Sequence, residues 1–263
     1  MTDHLTGTPT ALRIHPRSTV ALLLAFLATV AAFGWPLLVS PDSGLAHGND
    51  ATLVFAVLLP LVLAVVLAEL SEGGIDAKAV AMLGVLSAVG SAIRLLGAGT
   101  GGIEPVFFLI VLAGRVFGRG FGFVLGCTTL LASALLTGGV GPWLPFQMLG
   151  AAWVGFGAGC LPAVRGRWEI AVLAGYATLA ALAYGVALNL SFWPFTLGGG
   201  TEISFVPGDP VADNLPRLLA FSLATSLGWD LMRAVTTVLL VVLAGPGVLF
   251  VLRRAARKAR WAG

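Results

Sequence analysis

Runs of about 20 apolar residues, each bounded by charge, glycine or proline, recur along this chain. That is the length an α-helix needs to cross the hydrocarbon core of a bilayer. The runs cover residues 19–39, 51–68, 77–96, 105–118, 121–137, 143–161 and 170–192. A last stretch, 215–252, would form a continuous helix of roughly 57 Å at 1.5 Å per residue. It is therefore expected to break near Ser226-Leu227-Gly228 and to kink at Gly245-Pro246-Gly247. The pattern predicts an all-α integral membrane protein of about eight transmembrane helices. Composition points the same way, because the chain is 58% hydrophobic and 10% charged, against about 25% charged residues in an average soluble domain.

The basic residues set the expected orientation, since Lys and Arg favour cytoplasmic loops. With the N-terminus cytoplasmic, all of the 15 Lys and Arg residues except Arg94, Arg217 and Arg233 fall on the inner side. Segments 40–50, 97–104, 138–142 and 192–216 hold no Lys or Arg, but they carry Asp42, Asp50, Glu104, Glu202, Asp209 and Asp213. The expected division is a cytoplasmic tail at 1–17, two N-terminal transmembrane helices at 18–70, a core at 77–252 and a basic cytoplasmic tail at 253–263. Both termini are then cytoplasmic in a multi-pass plasma-membrane protein. The tail RRAARKAR is read as positive-inside topology with contact to anionic lipid, not as a nucleic-acid site. The first run is longer than the apolar region of a secretory signal and has no small-x-small cleavage site, so it is read as a retained helix.

The chemistry-bearing residues are few. The only lysines, Lys78 and Lys258, follow Ala77 and Arg257, so no phosphate-binding Gly-Lys-Ser/Thr loop exists. Cys127 and Cys160 are expected to be small buried thiols. His4, His15 and His47 form no pair at helical spacing, and neither a metal site nor a cofactor is expected. Within or beside the apolar runs stand Arg94, Glu104, Asp230 and Arg233, with Glu69 at a helix end; such groups are costly in lipid unless they pair or line a cavity. Asp230 and Arg233, three residues apart on one helix face, could simply neutralise each other. Aromatic and amide groups gather near them: Trp143, Phe146 and Gln147 follow the turn Gly138-Gly139-Val140-Gly141-Pro142, and Asn189, Phe192, Trp193 and Phe195 precede a long Gly/Pro-rich loop. Loops of that length are often lids or binding loops. The candidate ligand-binding residues are Arg94, Glu104, Trp143, Gln147, Asn189, Trp193, Trp229, Asp230 and Arg233, around an outward cavity suited to an amphipathic, nearly neutral solute.

Small residues recur at helical spacing at Ala77, Ala81, Gly84, Ala88 and Ala92. Such a stripe lets a second helix approach closely, either within this chain or from another subunit.

From AKAVAMLGVLSAVGSAIRLL through GGIEPVFFLIVLAGRVFGRGFGFVLG to TGGVGPWLPFQMLGAAWVGFGAGCLP, the chain resembles the substrate-specific (S) components of energy-coupling factor vitamin transporters. The resemblance covers roughly residues 77–252 and implies a six-helix substrate-binding core, with 18–70 as two helices outside it. It also implies external capture of a vitamin, a membrane coupling subunit contacted through Ala77, Ala81, Gly84 and Ala88, and two ATPase subunits that supply the energy. The blocks GGVGPWLPFQMLGAAWVG and GWDLMRA are similar to the cobalamin-type members, which makes cobalamin the implied cargo. The protein itself would not be an enzyme. Two readings compete with this one. A stand-alone secondary transporter should show internal repeats and ion ligands at mid-membrane depth, and a membrane-embedded enzyme should show a nucleophile with its base or a metal cluster within the runs.

Overall fold

The computed structural model describes residues 16–38, 57, 61–62, 64, 77–97, 100–196 and 200–260. Every regular element among them is helical: α1 Pro16–Leu38, α2 Ala77–Leu96, α3 Val106–Phe117, α4 Arg119–Thr137, α5 Leu144–Cys160, α6 Arg167–Thr196, α7 Val211–Thr225, α8 Leu227–Leu243 and α9 Gly245–Arg260. Most of the second expected N-terminal helix, together with His4, His15, His47 and Glu69, lies outside the described residues.

The centre of the bundle is α3. Its residues from Val106 to Gly114 are all buried, and it is wrapped by α4 and α5, which make the most extensive helix–helix contact of the fold. Glycine allows that closeness. A methyl group at Gly122 or at Gly155 would strike the backbone of the other, so α4 and α5 cross with their main chains in contact. A hydrophobic side chain at either position would force the helices apart. Gly118, at φ 95°, closes α3 and opens α4 in one residue; a side chain strongly disfavours that backbone conformation. The second most extensive contact joins α6 to α8, while α2 leans on α4 and α9 returns to α3.

The break expected near residues 226–228 is found at Ser226, where α7 and α8 meet at 66°. Ala244 then separates α8 from α9 beside the Gly245-Pro246-Gly247 segment.

The described residues do not form the expected eight-span bundle. Among the described residues three helices are long and apolar enough to cross a membrane, Ala77–Leu96, Arg119–Thr137 and Arg167–Pro194, or up to four if the bent pair α7–α8 counts as one. The physical reason is length. The 12 residues of α3 rise about 18 Å and the 17 of α5 about 26 Å, short of a core of about 30 Å. An apolar run also marks a helix that other helices surround, and α3 is apolar because it is the core. The multi-pass plasma-membrane placement with two cytoplasmic termini, and the bilayer as a partner, rested on eight alternating spans and fall with them. The outer faces of α2 and α8 nevertheless keep large apolar residues exposed, among them Val85, Leu96, Leu239 and Leu243.

The long segment after α6 is anchored. Trp193 is buried against Phe205 and Phe221 and donates from Nε1 to the carbonyl of Ile203 at 2.8 Å. Asn214, on α7, donates to the carbonyl of Val206 at 2.8 Å and accepts from its N–H at 3.2 Å. Cys160 is a further correction: Cys127 is buried, but Cys160 ends α5 and is exposed.

Candidate functional site

Three helices and one loop bring ionisable residues to one end of the bundle. Arg233, in α8, is 5% exposed and holds two carboxylates: Nη1 donates to Oδ1 of Asp230 and Nε to Oε2 of Glu104, each at 2.6 Å. Nη1 also reaches the carbonyl of Ala181 at 3.3 Å. The guanidinium lies 4.9 Å from the ring centre of Tyr184 and 5.6 Å from that of Phe107. Two aromatic faces therefore help replace its lost hydration.

The sequence places these groups by local rules. The break at Ser226 puts Asp230 in the first turn of α8, where the exposed N–H groups favour a negative charge. Ser226 donates to Asp230 Oδ2 at 3.0 Å, and Asn189 of α6 donates to Ser226 at 2.6 Å and to Ser222 at 3.0 Å. The polar chain Asn189–Ser226–Asp230–Arg233–Glu104 thus ties α6, α7, α8 and the loop before α3 together. Glu104 precedes Pro105, the residue that caps α3. Its loop is pressed onto α8 at Gly102, whose missing side chain leaves room for the carbonyl of Trp229.

A second polar group stands beside the first. Arg94, in the last turn of α2, donates from Nη1 to Ser133 of α4 at 3.0 Å and from Nη2 to Oε1 of Gln147 in α5 at 3.2 Å. Among the described residues no carboxylate is within ion-pair distance of it. The ring of Tyr184 lies beside both groups: 4.9 Å from the Arg233 guanidinium and against Gly150 of α5, one turn after Gln147. Tyr184 is 6% exposed, it packs its ring edge-on to Phe107 at 4.8 Å, and among the described residues its hydroxyl has no hydrogen-bond partner. The hydroxyl itself is not fully enclosed: among the described residues the buried side-chain oxygen without a partner is Thr129 Oγ1.

Of the nine candidate ligand-binding residues, the fold unites Arg94 with Gln147 and Glu104 with Asp230 and Arg233, and it joins Asn189 through Ser226. Three stand apart. Trp143 is 52% exposed and bonds to the carbonyl of Gly139 within its own turn, Trp193 anchors the segment after α6, and the side chain of Trp229 is largely exposed. Sequence reasoning missed Tyr184, Phe107 and Ser226. Tyr184 is one of only two tyrosines in the chain, and its place seven residues after Ala177 in an apolar helix offered no sign that charges converge on it.

A third ion cluster lies toward the other end of α3. Glu169, 2% exposed, accepts through Oε1 from Arg115 at 2.8 Å and from Arg253 at 2.5 Å, and Arg115 also donates to the carbonyls of Leu161 and Val164. Each group there has partners, and the cluster ties α3, α6 and α9 together. Among the described residues, no group of three or more His, Cys, Asp or Glu could hold a metal ion.

No family model, curated protein or solved structure matches this chain. The resemblance to S components is therefore withdrawn, and with it the vitamin importer, the cobalamin cargo, the coupling subunit and the two ATPases. The stand-alone transporter reading also has no support from any matching protein. The motifs behind the resemblance have a local explanation. Their glycines and alanines serve the α3–α4–α5 crossing, where Gly114, Gly122, Gly126 and Gly155 each meet neighbouring backbone. The stripe assigned to the coupling subunit is open among the described residues: Ala77, Ala81, Gly84 and Ala88 are exposed, and nothing lies within 4 Å of a side chain built at Gly84.

Proposed function

We propose that this chain binds a small molecule at the polar cluster around Tyr184, with Arg94 receiving an anionic group of the ligand. The observation that carries the reading is the Arg94 guanidinium, which among the described residues is held by neutral groups alone, Ser133 at 3.0 Å and Gln147 at 3.2 Å. Arg233 and Asp230 are committed to each other and serve as the frame. Among the described residues, the groups with unused hydrogen-bonding capacity are the hydroxyl of Tyr184, the amide nitrogen of Gln147, the remaining N–H groups of Arg94 and the second oxygen of Glu104. Those are the groups a ligand would use, and Glu104 is the open side, with its side chain 31% exposed. The reading is one of binding, with Ser226 and Asp230, hydrogen-bonded at 3.0 Å, as part of the frame.

Calorimetric titration of the intact protein with propionate and with inorganic phosphate tests this. The expected result is saturable binding of at least one of them. Arg94→Gln should weaken it about tenfold or more, as the loss of a charged hydrogen bond implies, and Tyr184→Phe about two- to tenfold, as the loss of a neutral one does. Absence of saturable binding, or binding indifferent to both substitutions, would overturn the reading.

A further inference from the structure

Helix α2 is held more lightly than the helices it leans on. Along its 20 residues it buries Leu83, Leu86, Ser87, Gly90 and Ser91, so two large apolar side chains anchor it, whereas every residue of α3 from Val106 to Gly114 is buried. The rest of its seam with α4 is polar. Ser87 Oγ pairs with Thr128 Oγ1 at 2.7 Å, Ser91 donates to the carbonyl of Thr129 at 3.1 Å, and Arg94 donates to Ser133 at 3.0 Å. Water can replace each of these bonds if the helices part, so they hold α2 with little net energy.

One contact in the seam opposes the closed position. Thr129 Oγ1 is buried with no partner among the described residues, although Thr128 beside it bonds back to the carbonyl of Val124 at 2.9 Å, a bond helical threonines readily make. The side chain of Thr129 lies against Gly90, where a methyl group would come within 2.7 Å of its Cγ2. α2 therefore covers a hydroxyl that water would satisfy if α2 moved off, and a stranded buried oxygen costs more than a typical hydrogen bond contributes. The far end of α2 is fixed differently: the loop that follows it is pressed onto α8 at Gly102 and paired to Arg233 through Glu104. We infer that α2 is a movable cover, which swings off α4 along this hydroxyl-lined seam while its C-terminal loop stays pinned. Arg94 sits on α2 while Ser133 and Gln147 sit on α4 and α5, so an anion bound at Arg94 would tie the three helices and hold the cover shut; that second half rests on the binding site proposed above.

Native-state hydrogen exchange, read segment by segment, tests both halves. Without ligand, residues 83–94 should share one protection factor, about tenfold or more below that of residues 106–114 in α3. Thr129→Val removes the stranded hydroxyl at nearly constant shape and should slow exchange in α2 about fivefold. Gly90→Ala presses on Thr129 and should speed exchange in α2 while leaving α3 unchanged. Saturating propionate or inorganic phosphate should slow α2 further. If α2 exchanges in step with α3, or Gly90→Ala accelerates both equally, α2 opens only with the whole fold and the cover is overturned, whatever the protein binds. Fast exchange of α2 that neither anion slows supports the cover and overturns Arg94 as the anion's holder. The comparison of α2 with α3 is made within the wild-type protein, so it reads out whether or not a variant folds.

Discussion

The carboxylate of Asp230 rests directly on the backbone of Gly185, so closely that a methyl group at Gly185 would collide with it. The position of the ion pair in α8 is thereby set by the absence of a side chain in α6. Gly185→Ala should push the carboxylate out of reach of Arg233 and cost about 1–3 kcal/mol, as overpacking of a tight contact does. Gly228→Ala is the control. Nothing lies within 4 Å of a side chain there and the residue is helical, so the change should be neutral or stabilising by up to about 1 kcal/mol. Denaturant unfolding of the two variants checks the contrast.

Removing Arg233 leaves Asp230 buried without a counter-charge. Arg233→Gln is expected to lower stability by about 3–5 kcal/mol, because a buried pair broken on one side exposes the full desolvation cost of the other. The double variant with Asp230→Asn should recover at least about 1 kcal/mol of that loss, since the two residues are coupled. A double-mutant cycle by chemical denaturation measures the term. A double variant no more stable than Arg233→Gln alone would contradict the coupling.

The cluster at Glu169 makes an asymmetric prediction. Arg115 is 7% exposed at its side chain and Arg253 41%, and both hold the same carboxylate oxygen. Arg253→Ala should cost no more than about 1 kcal/mol, as an exposed pair does. Glu169→Gln strands the buried Arg115 and should cost about 3–5 kcal/mol. Thermal unfolding midpoints of the two variants rank them directly.

Trp193 governs the segment between α6 and α7. Trp193→Phe keeps the ring contacts with Phe205 and Phe221 but removes the donor to the carbonyl of Ile203, a loss of about 1 kcal/mol. Hydrogen exchange should rise in residues 201–210 and stay unchanged in α3. Equal acceleration in both would mean that this segment does not open on its own.

Helix positions were legible in the sequence because charge, proline and glycine bracket the apolar runs: residues 77–96 read as one run and form α2, and the break read at Ser226 is where α7 ends. Apolar periodicity reports that a face is removed from water, but not what removes it, so α3 and α5 read like membrane spans although other helices cover much of them. The self-neutralising option for Asp230 and Arg233 was legible too, since three residues on a helix is a fixed distance. That Glu104, 129 positions from Arg233 in the chain, completes the cluster, and that Tyr184 and Arg94 stand beside it, follows only from how α2, α6 and α8 pack. Local spacing determines which residues share one helix face. Which faces meet is decided by close-packing, and here that depends on glycines such as Gly102, Gly155 and Gly185, whose role lies in the neighbours they admit.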